Sequence, residues 1–447
     1  MKNKRILIIG LGISGRSAAR FLLQQGASVF GVDGNAKLLQ DNEELIQLRQ
    51  MGLQTAHDSI ALELKKFNLI VVSPGIPHKH PLYAAAKASG IEIVGEVELA
   101  CRCMPFKQFL GITGTNGKTT VTLLVAHILN QSGKRARALG NVGTAMTSPE
   151  AQGAGHIDEI IVAELSSYQL ETMHSKIIDA AVILNITPDH LDRYGSMDEY
   201  AKAKLHIAAC LKLNGVLYLE QLTHKKYGHL LLEKCDIRTY GYAHPAHFHT
   251  DLKVIQCDKQ PPQKVPEPLK GKPSHDLENL MAAYALCLHA GVTPKQFFEG
   301  YKTFKKPSHR IEFVAKLNNI SYYDDSKGTN LDAVIRAVEA VHGPTILIAG
   351  GVDKGAPYTP WITAFDGKVK LICAIGQAAT KIENDLNQSI PVKLFSSLKG
   401  AVEYAAAQAQ PGDNIMLSPG CSSLDMYRDY AHRGQEFQKI VKSLKTD

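Results

Sequence analysis

Residues 111–120 form a glycine-rich stretch that ends in Lys118, Thr119 and Thr120 and follows a short apolar run. A triphosphate has to be surrounded by backbone N–H groups, and glycine lets the chain approach closely because it adopts positive φ angles. Lys118 would bind the β and γ phosphates, and Thr119 would place a hydroxyl on Mg²⁺. Ile112 stands where the strict Walker pattern has glycine. The stretch therefore indicates a variant phosphate loop and a chain that binds and cleaves ATP.

A second glycine-rich turn, residues 10–15, reads Gly-x-Gly-x-x-Gly after a predicted strand, and Asp33 closes the next strand. Such turns hold the diphosphate of a nucleotide, with the acidic residue on its ribose. Alone, this pattern favours an enzyme that uses NAD. A phosphate loop in the same chain disfavours that interpretation, because dehydrogenases do not bind a γ-phosphate, so the nucleotide of the first site stays open. Ser73 begins a further turn where such a sheet binds its ligand.

Two more side chains are expected at the edge of the sheet where the phosphate loop opens. Glu164 ends the apolar run 160–163, and His190 follows another apolar run, within residues 185–192. The carboxyl ends of neighbouring parallel strands meet at one edge, so a carboxylate there is a candidate Mg²⁺ ligand. A single histidine is more often structural, but one at the end of a core strand in a nucleotide domain is a candidate functional group.

Alternating strand and helix patterns must position these groups. Apolar and β-branched runs predict strands, at residues 5–10, 28–33, 69–73, 92–94, 107–111, 159–164, 180–185, 215–219, 320–323, 345–349, 370–375 and 414–417. A helix is predicted at 277–290, after an irregular, proline-rich stretch at 260–273. We predict an α/β protein of three nucleotide-fold-like domains in series, at residues 1–103, 104–306 and 307–447.

The composition is that of a globular protein, with 45% hydrophobic and 21% charged residues among 447. The net charge of +7 is spread along the chain, which favours small anionic substrates over nucleic acid without deciding between them. Eight cysteines form no Cys-x-x-Cys pair, which argues against a zinc site or a disulfide scaffold. We expect a cytoplasmic protein without membrane insertion, because neither a signal-peptide pattern nor an apolar run of about 18 residues occurs.

Several motifs together resemble the Mur ligase superfamily, whose members are ATP-dependent amide ligases that build the peptide stem of peptidoglycan. These motifs are residues 114–120, 164–171, 185–193 and 325–330. The resemblance covers nearly the whole chain. It implies a Rossmann-like UDP-binding domain, a central P-loop ATPase-like domain and a C-terminal Rossmann-like domain that binds the amino acid. Residues 325–330 and 417–425, followed by 433–437, are similar to members that add D-glutamate.

The resemblance assigns residues to three groups of ligands. The UDP substrate would be bound by Ile13, Ser14, Asp33, Ser73, Gly75, Asn141 and His190. ATP would be bound by Gly114, Thr115, Asn116, Gly117, Lys118, Thr119, Thr120, Asn279, Arg310 and Asp325. The amino acid would be bound by Lys327, Thr329, Lys354, Ser423 and Tyr430. Gly34, Asn35 and Asp276 depart from the residues that relatives carry there.

The resemblance also implies a metal centre in the central domain. Thr119, Glu164, His190 and a carbamylated Lys204 would hold Mg²⁺, as two ions. A carbamate is an anionic oxygen ligand, whereas an ammonium would repel the metal. The spacing alone does not distinguish Lys204 from Lys202. The catalytic groups would be Lys118, His190, Lys204 and Arg310.

The implied reaction starts with attack of a substrate carboxylate on the γ-phosphate of ATP. The acyl phosphate then reacts with the amine of an amino acid, so the substrates would be UDP-N-acetylmuramoyl-L-alanine, D-glutamate and ATP. We expect a monomer that binds no nucleic acid. Three alternatives stay open: a folylpolyglutamate-synthase-like enzyme, disfavoured by the N-terminal glycine turn, a nicotinamide-dependent dehydrogenase, and an ATP-sensing protein without turnover.

Overall fold

The computed structural model describes residues 1–152, 158–242, 245–257 and 260–444, and it contains three sheets in series. Helices alternate with the strands of each sheet, which confirms the predicted α/β class. The chain divides into two compact units. The first unit comprises Met1–Ile186 and Asp198–Phe304, and the second comprises Thr187–Met197 and Lys305–Asp447. The domain boundaries at 103/104 and 306/307 stay predictions.

The first sheet is parallel, in the order β3-β2-β1-β4-β5. Its elements are β1 Arg5–Ile9, α1 Ile13–Gln24, β2 Ser28–Asp33, α2 Ala36–Asp41, α3 Glu43–Gln50, β3 Gln54–His57, β4 Leu69–Val72, α4 Pro81–Ala88, β5 Ile93–Val94 and α5 Glu96–Cys103. Alternate residues of β1 enter two different cores, Ile6 and Ile8 one and Leu7 and Ile9 the other. The sheet is therefore covered on both faces. Its switch point lies between β1 and β4.

The second sheet has the order β14-β13-β12-β11-β10-β9-β6-β8-β7, antiparallel only among β12, β13 and β14. Its strands are β6 Gln108–Thr113, β7 Ala136–Gly140, β8 Ile160–Glu164, β9 Ile178–Ile183, β10 Leu211–Glu220, β11 Asp236–Gly241, β12 Phe248–Thr250, β13 Val254–Cys257 and β14 Gln263–Lys264. The helices in this part of the chain are α6 Lys118–Gln131, α7 Pro149–Gln152, α8 Ser167–Leu170, α9 Leu191–Tyr194, α10 Met197–Leu205, α11 Gln221–Tyr227, α12 His275–His289 and α13 Pro294–Thr303. Of these, α9 belongs to the second unit. The carboxyl ends of β8, β6 and β9 are neighbours.

The third sheet, in the second unit, has the order β15-β16-β20-β17-β18-β19, and β15 alone is antiparallel to its neighbour. Its elements are β15 Glu312–Leu317, β16 Ile320–Asp324, α14 Leu331–Ala340, β17 Thr345–Gly350, α15 Pro360–Phe365, β18 Val369–Ile375, α16 Ala379–Leu386, β19 Val392–Phe395, α17 Leu398–Gln408, β20 Asn414–Leu417 and α18 Tyr430–Ser443. Asn330 and Asp429 begin α14 and α18 as side-chain N-caps.

Each predicted strand has a counterpart in the structure, and Ser28–Asp33 and Asn414–Leu417 have the predicted bounds. The stretch predicted as irregular at 260–273 contains β14 and a 3₁₀ turn at Glu267–Leu269. The sequence missed short strands such as Gln54–His57 and Val392–Phe395, in which no residue is fully buried. Among the described residues, no helix combines the length and apolarity that crossing a membrane requires.

Candidate functional site

The phosphate loop connects β6 to α6 in the first unit. Gly114 and Gly117 have φ angles of 153° and 88°, which side chains rarely adopt. A Cβ at Gly117 would lie 2.3 Å from Asn279 Oδ1, so the Asn279 side chain packs directly against this glycine. Lys118 is the first residue of α6, and the loop therefore opens at a helix N-terminus, which favours anions. Thr119 is buried, and Thr120 is partly exposed.

Asn185, the second residue after β9, fixes the phosphate loop. Its backbone carbonyl accepts from Thr115 N at 2.8 Å. Its side chain accepts from Asn116 N at 2.8 Å and donates to Asn116 O at 3.0 Å. Three hydrogen bonds from one residue hold the loop against the neighbouring strand end. The sequence marked Asn185 only as the start of a motif, because a side chain that pairs with backbone leaves no pattern.

The Lys118 ammonium is placed over the loop itself. Lys118 Nζ donates to Gly114 O at 2.9 Å and to Thr115 O at 2.8 Å. Its positive charge therefore lies among the backbone groups that would surround a phosphate.

Glu164 ends β8 and is 2% exposed. Its Oε1 accepts from Asn141 Nδ2 at 2.7 Å. Its Oε2 is buried and has no hydrogen-bond partner among the described residues. A buried carboxylate oxygen without a partner is costly, and a hard divalent cation would satisfy it. The residues here therefore fit a Mg²⁺ ion.

The structure distinguishes Lys204 from Lys202. Lys204 is 1% exposed and donates from Nζ to Gly114 O at 2.8 Å. The same Nζ lies 4.6 Å from the ring centroid of Tyr200, whose hydroxyl is 3.3 Å from Thr115 Oγ1. Lys202 is exposed and pairs with Glu199 at 2.7 Å. Lys204 is thus the lysine of this helix that reaches the phosphate loop.

The predicted ATP ligand Asn279 lies in the first turns of α12, which Ser274 caps by accepting from Leu277 N. Asn279 approaches the loop at Gly117. His275 Nδ1 lies 2.7 Å from Glu278 Oε2, and burial raises the pKa of Glu278 to about 7. This carboxyl was not predicted as a site residue.

The N-terminal turn is held by its own polar side chains. Asp33 accepts from Leu11 N at 2.7 Å and from Asn35 N at 2.8 Å. Ser73 Oγ donates to Gly10 O at 2.7 Å, across the switch point of the sheet. Asp33 and Ser73 therefore shape the turn, whatever they contact in a ligand.

Other predicted residues of this turn are open to solvent. Ile13 is 76% exposed, and Ser14 is partly exposed. A Cβ added at Gly75 would meet nothing within 4 Å, whereas one at Gly34 would lie 2.8 Å from Asp58 Oδ2. Position 34 therefore lies directly against the Asp58 carboxylate.

In the second unit, Lys327 and Tyr430 lie together. Lys327 Nζ is 3.8 Å from the centroid of the Tyr430 ring, a cation–π contact. Ser326 Oγ donates to Tyr430 O at 2.8 Å and fixes this pair. Lys354 Nζ pairs with Asp189 Oδ1 at 3.0 Å. Thr329 is partly exposed, and Ser423 is 3% exposed.

Asp325 is a buried carboxyl that follows β16. Its Oδ2 accepts from Ser418 Oγ at 2.6 Å and its Oδ1 from Ile311 N at 3.2 Å. Burial raises the pKa of Asp325 to about 7, and the charge of Arg310 opposes that rise. The two predicted ATP ligands of this unit, Arg310 and Asp325, therefore interact electrostatically.

His190 belongs to the second unit, as the N-cap of α9 with φ 54°. Lys118, Thr119, Glu164 and Lys204 belong to the first unit. Of the predicted metal ligands, Thr119, Glu164 and Lys204 thus belong to the first unit and His190 to the second.

Family models match three successive parts of the chain. They are the Mur ligase MurD-like N-terminal domain at residues 4–95, the Mur ligase middle domain at 112–287 and the Mur ligase glutamate ligase domain at 309–421. A UDP-N-acetylmuramoylalanine--D-glutamate ligase of Protochlamydia amoebophila is 50% identical over 441 residues, which cover 99% of this chain and 98% of that protein. The chain belongs to the Mur ligase family. This membership argues against the dehydrogenase interpretation.

Further relatives extend the match. An enzyme of the same name from Alkaliphilus metalliredigens is 37% identical to this Mur ligase over 454 residues, 100% of this chain and 99% of that protein. Among solved structures, MurF from Acinetobacter baumannii has a TM-score of 0.62 at 15% identity and covers 97% of this chain and 93% of its own. UDP-N-acetylmuramate-alanine ligase MurC from Thermotoga maritima has a TM-score of 0.59 at 16% identity, with 99% and 100% covered. These two structures share the fold.

Arg433 is a structural centre of this Mur ligase that the sequence did not assign. It is 1% exposed, and its guanidinium donates to Ser326 Oγ at 3.0 Å, Ser326 O at 2.9 Å, Cys421 O at 3.2 Å and Gly350 O at 3.4 Å. These acceptors lie in the loops that carry Lys327 and Ser423 and at the end of β17, where the Lys354 loop begins. Burial lowers the pKa of Arg433 to about 10. Arg433 thus holds the three loops of the candidate amino-acid pocket together.

Proposed function

We propose that this Mur ligase joins the carboxyl group of UDP-N-acetylmuramoyl-L-alanine to the amino group of D-glutamate, with cleavage of ATP to ADP and phosphate. The similarity over nearly the whole chain to two enzymes named UDP-N-acetylmuramoylalanine--D-glutamate ligase supports the choice of substrates. One observation carries the reaction class: Lys118 and Lys204 both donate to Gly114 O of the phosphate loop, and Glu164 ends β8, which pairs with the strand that leads into that loop. The glycine turn after β1, with Ile13, Ser14, Asp33, Ser73 and Gly75, would bind the UDP group.

The chain's own groups would bind and orient the reactants. Loop N–H groups and Lys118 would hold the phosphates of ATP, and Asn279 would contact its adenine. Arg310 suits a phosphate because its planar fork binds two oxygens at once. Lys327, Lys354 and Ser423 would bind the two carboxylates of D-glutamate, with Thr329 and Tyr430 lining the pocket. Exclusion of water would protect the acyl phosphate from hydrolysis.

We propose that Mg²⁺ is held by Glu164, Thr119 and a carbamylated Lys204, with His190 for a second ion. The unpartnered Glu164 Oε2 supports this assignment. Mg²⁺ would neutralise charge on the phosphoryl groups. The burial of Lys204 beside Gly114 supports the modification, because an uncharged amine or an anionic carbamate suits a metal-binding interior better than an ammonium.

The test is phosphate release by the purified protein with ATP, UDP-N-acetylmuramoyl-L-alanine and each of a panel of amino acids. We expect release with D-glutamate and not with L-glutamate, together with a product whose mass has increased by one glutamyl residue. Lys118→Ala protein, purified in parallel, controls for contaminating ATPases. Phosphate release that does not depend on both the UDP substrate and an amino acid would contradict the proposal.

A further inference from the structure

Asp189 connects three separate parts of the second unit through one buried carboxylate. It is 7% exposed. Its Oδ1 accepts from Lys354 Nζ at 3.0 Å and from His190 N at 3.0 Å. Its Oδ2 lies 3.5 Å from Asn330 Nδ2. The lysine comes from the loop after β17, the asparagine caps α14, and the histidine follows Asp189 in the chain.

Asp189 also fixes the histidine beside it. His190 has φ 54° and ψ 30°, a left-handed conformation that is strained for a residue with a side chain. The hydrogen bond from His190 N to Asp189 Oδ1 supports that turn, and Asp189 Oδ2 lies 3.5 Å from His190 Nε2. The same carboxylate therefore contacts both the backbone and the imidazole of His190.

Other contacts hold the surroundings of this array in place. Thr187 Oγ1 donates to Asp332 Oδ2 at 3.2 Å, which ties the start of the segment to α14. On the lysine side, Asp353 accepts from Lys381 at 2.7 Å and from the Tyr358 hydroxyl at 3.0 Å. The backbone of the Lys354 loop is thus fixed through Asp353. The Lys354 side chain is held by Asp189.

We propose that Asp189 is a positioning residue for the amino-acid substrate, holding the Lys354 ammonium where it receives a substrate carboxylate and linking it to His190. This inference rests on the proposed function, in which Lys354 binds D-glutamate. An ammonium has three donors, so Lys354 keeps donors for the substrate while it pairs with Asp189. A side chain ordered before binding loses less entropy when the ligand arrives.

The test is the kinetics of Asp189→Asn. The amide oxygen still accepts from His190 N, but the negative charge that holds Lys354 is lost. We expect the KM for D-glutamate to rise about tenfold, within the usual range of coupling between neighbouring groups. The KM values for ATP and the UDP substrate change by less than about twofold, and kcat falls by a smaller factor than the KM for glutamate rises.

Asp413→Asn is the matched control. Asp413 is also a buried carboxylate of the second unit, paired with Lys370, and its contacts within the described part of the chain include none of the proposed site residues. It should leave the KM for D-glutamate unchanged. Asp189→Glu keeps the charge, so it should recover part of the glutamate affinity, and it serves as the second variant if Asp189→Asn does not fold.

A selective rise in the glutamate KM with partial recovery in Asp189→Glu supports the proposal. An active Asp189→Asn enzyme with an unchanged glutamate KM overturns it, and so do equal losses for all three substrates, which indicate a purely structural role. Wild-type protein that releases no phosphate overturns the proposed function and this inference with it.

Discussion

The phosphate-loop site of the first unit and the candidate amino-acid pocket of the second unit are constructed in different ways. The phosphate loop is one continuous segment between β6 and α6, and Asn185 fixes it against a neighbouring strand end. The amino-acid pocket combines loops that carry Lys327, Lys354 and Ser423, and the guanidinium of Arg433 joins them.

This difference determines how each site should respond to substitution. In the phosphate loop, position is set by backbone and glycine conformation, so a functional side chain can be removed without loss of structure. In the amino-acid pocket, position depends on a few buried polar side chains, so binding and stability are linked. Substitutions in the phosphate loop should therefore change activity alone, whereas substitutions in the amino-acid pocket should change binding and stability together.

The largest effect is expected for Lys118→Ala. Removal of a charge that stabilises the transferred phosphoryl group lowers kcat by about 10²- to 10³-fold. The thermal midpoint should stay close to that of the wild type, because Asn185 and the conformations of Gly114 and Gly117 hold the loop in place. Steady-state kinetics and thermal unfolding measure the two quantities. Loss of folding in this variant would show that the loop depends on its lysine.

Lys204→Ala should lower kcat by about a hundredfold, whereas Lys202→Ala should leave kcat unchanged. The physical reason is burial: Lys204 contacts the phosphate loop, and Lys202 is exposed. If Lys204 is carbamylated, added bicarbonate should raise the activity of CO₂-depleted wild-type enzyme. Equal activity of the two lysine variants would refute the assignment.

Arg433→Lys should weaken the amino-acid pocket and the second unit together. One ammonium cannot reach acceptors on three loops, so buried carbonyls lose partners, at about 2–4 kcal/mol in the free energy of unfolding. We expect about a tenfold rise in the KM for D-glutamate and an unchanged KM for ATP. Chemical denaturation and kinetics test this. An unchanged KM for D-glutamate in a destabilised Arg433→Lys variant would contradict the link between binding in the pocket and stability.

The smallest effect concerns pH. The folded-state pKa of Asp325 is raised to about 7, so between about pH 4 and 7 the folded carboxyl holds a proton that the unfolded chain has released. Its contribution to stability therefore decreases as the pH rises through this window and is constant above it. Between pH 6 and 8, the free energy of unfolding of Asp325→Asn should therefore rise by about 1.4 kcal/mol relative to that of the wild type. Parallel stability curves would contradict the raised pKa.

The difference between the phosphate-loop site and the amino-acid pocket also explains which residues could be identified from the sequence. The phosphate loop was identified from its own residues, because glycine conformations and a lysine at a helix start are local properties. Burial of Lys204 rather than Lys202 depends on tertiary packing, which spacing does not encode. Arg433 and Asn185 were not assigned because most of their partners are backbone groups in other segments of the chain. The pocket residues Lys327, Lys354 and Ser423 came only from resemblance to a family.

The most direct test of the proposed reaction follows an oxygen atom from the substrate carboxylate to the released phosphate. UDP-N-acetylmuramoyl-L-alanine labelled with ¹⁸O in its carboxylate is incubated with the wild-type protein, ATP and D-glutamate, and the released phosphate is analysed by mass spectrometry. If the carboxylate attacks the γ-phosphate to give an acyl phosphate, each phosphate released carries one carboxylate oxygen. Unlabelled phosphate, formed at the same rate as the amide product, would contradict the proposed reaction.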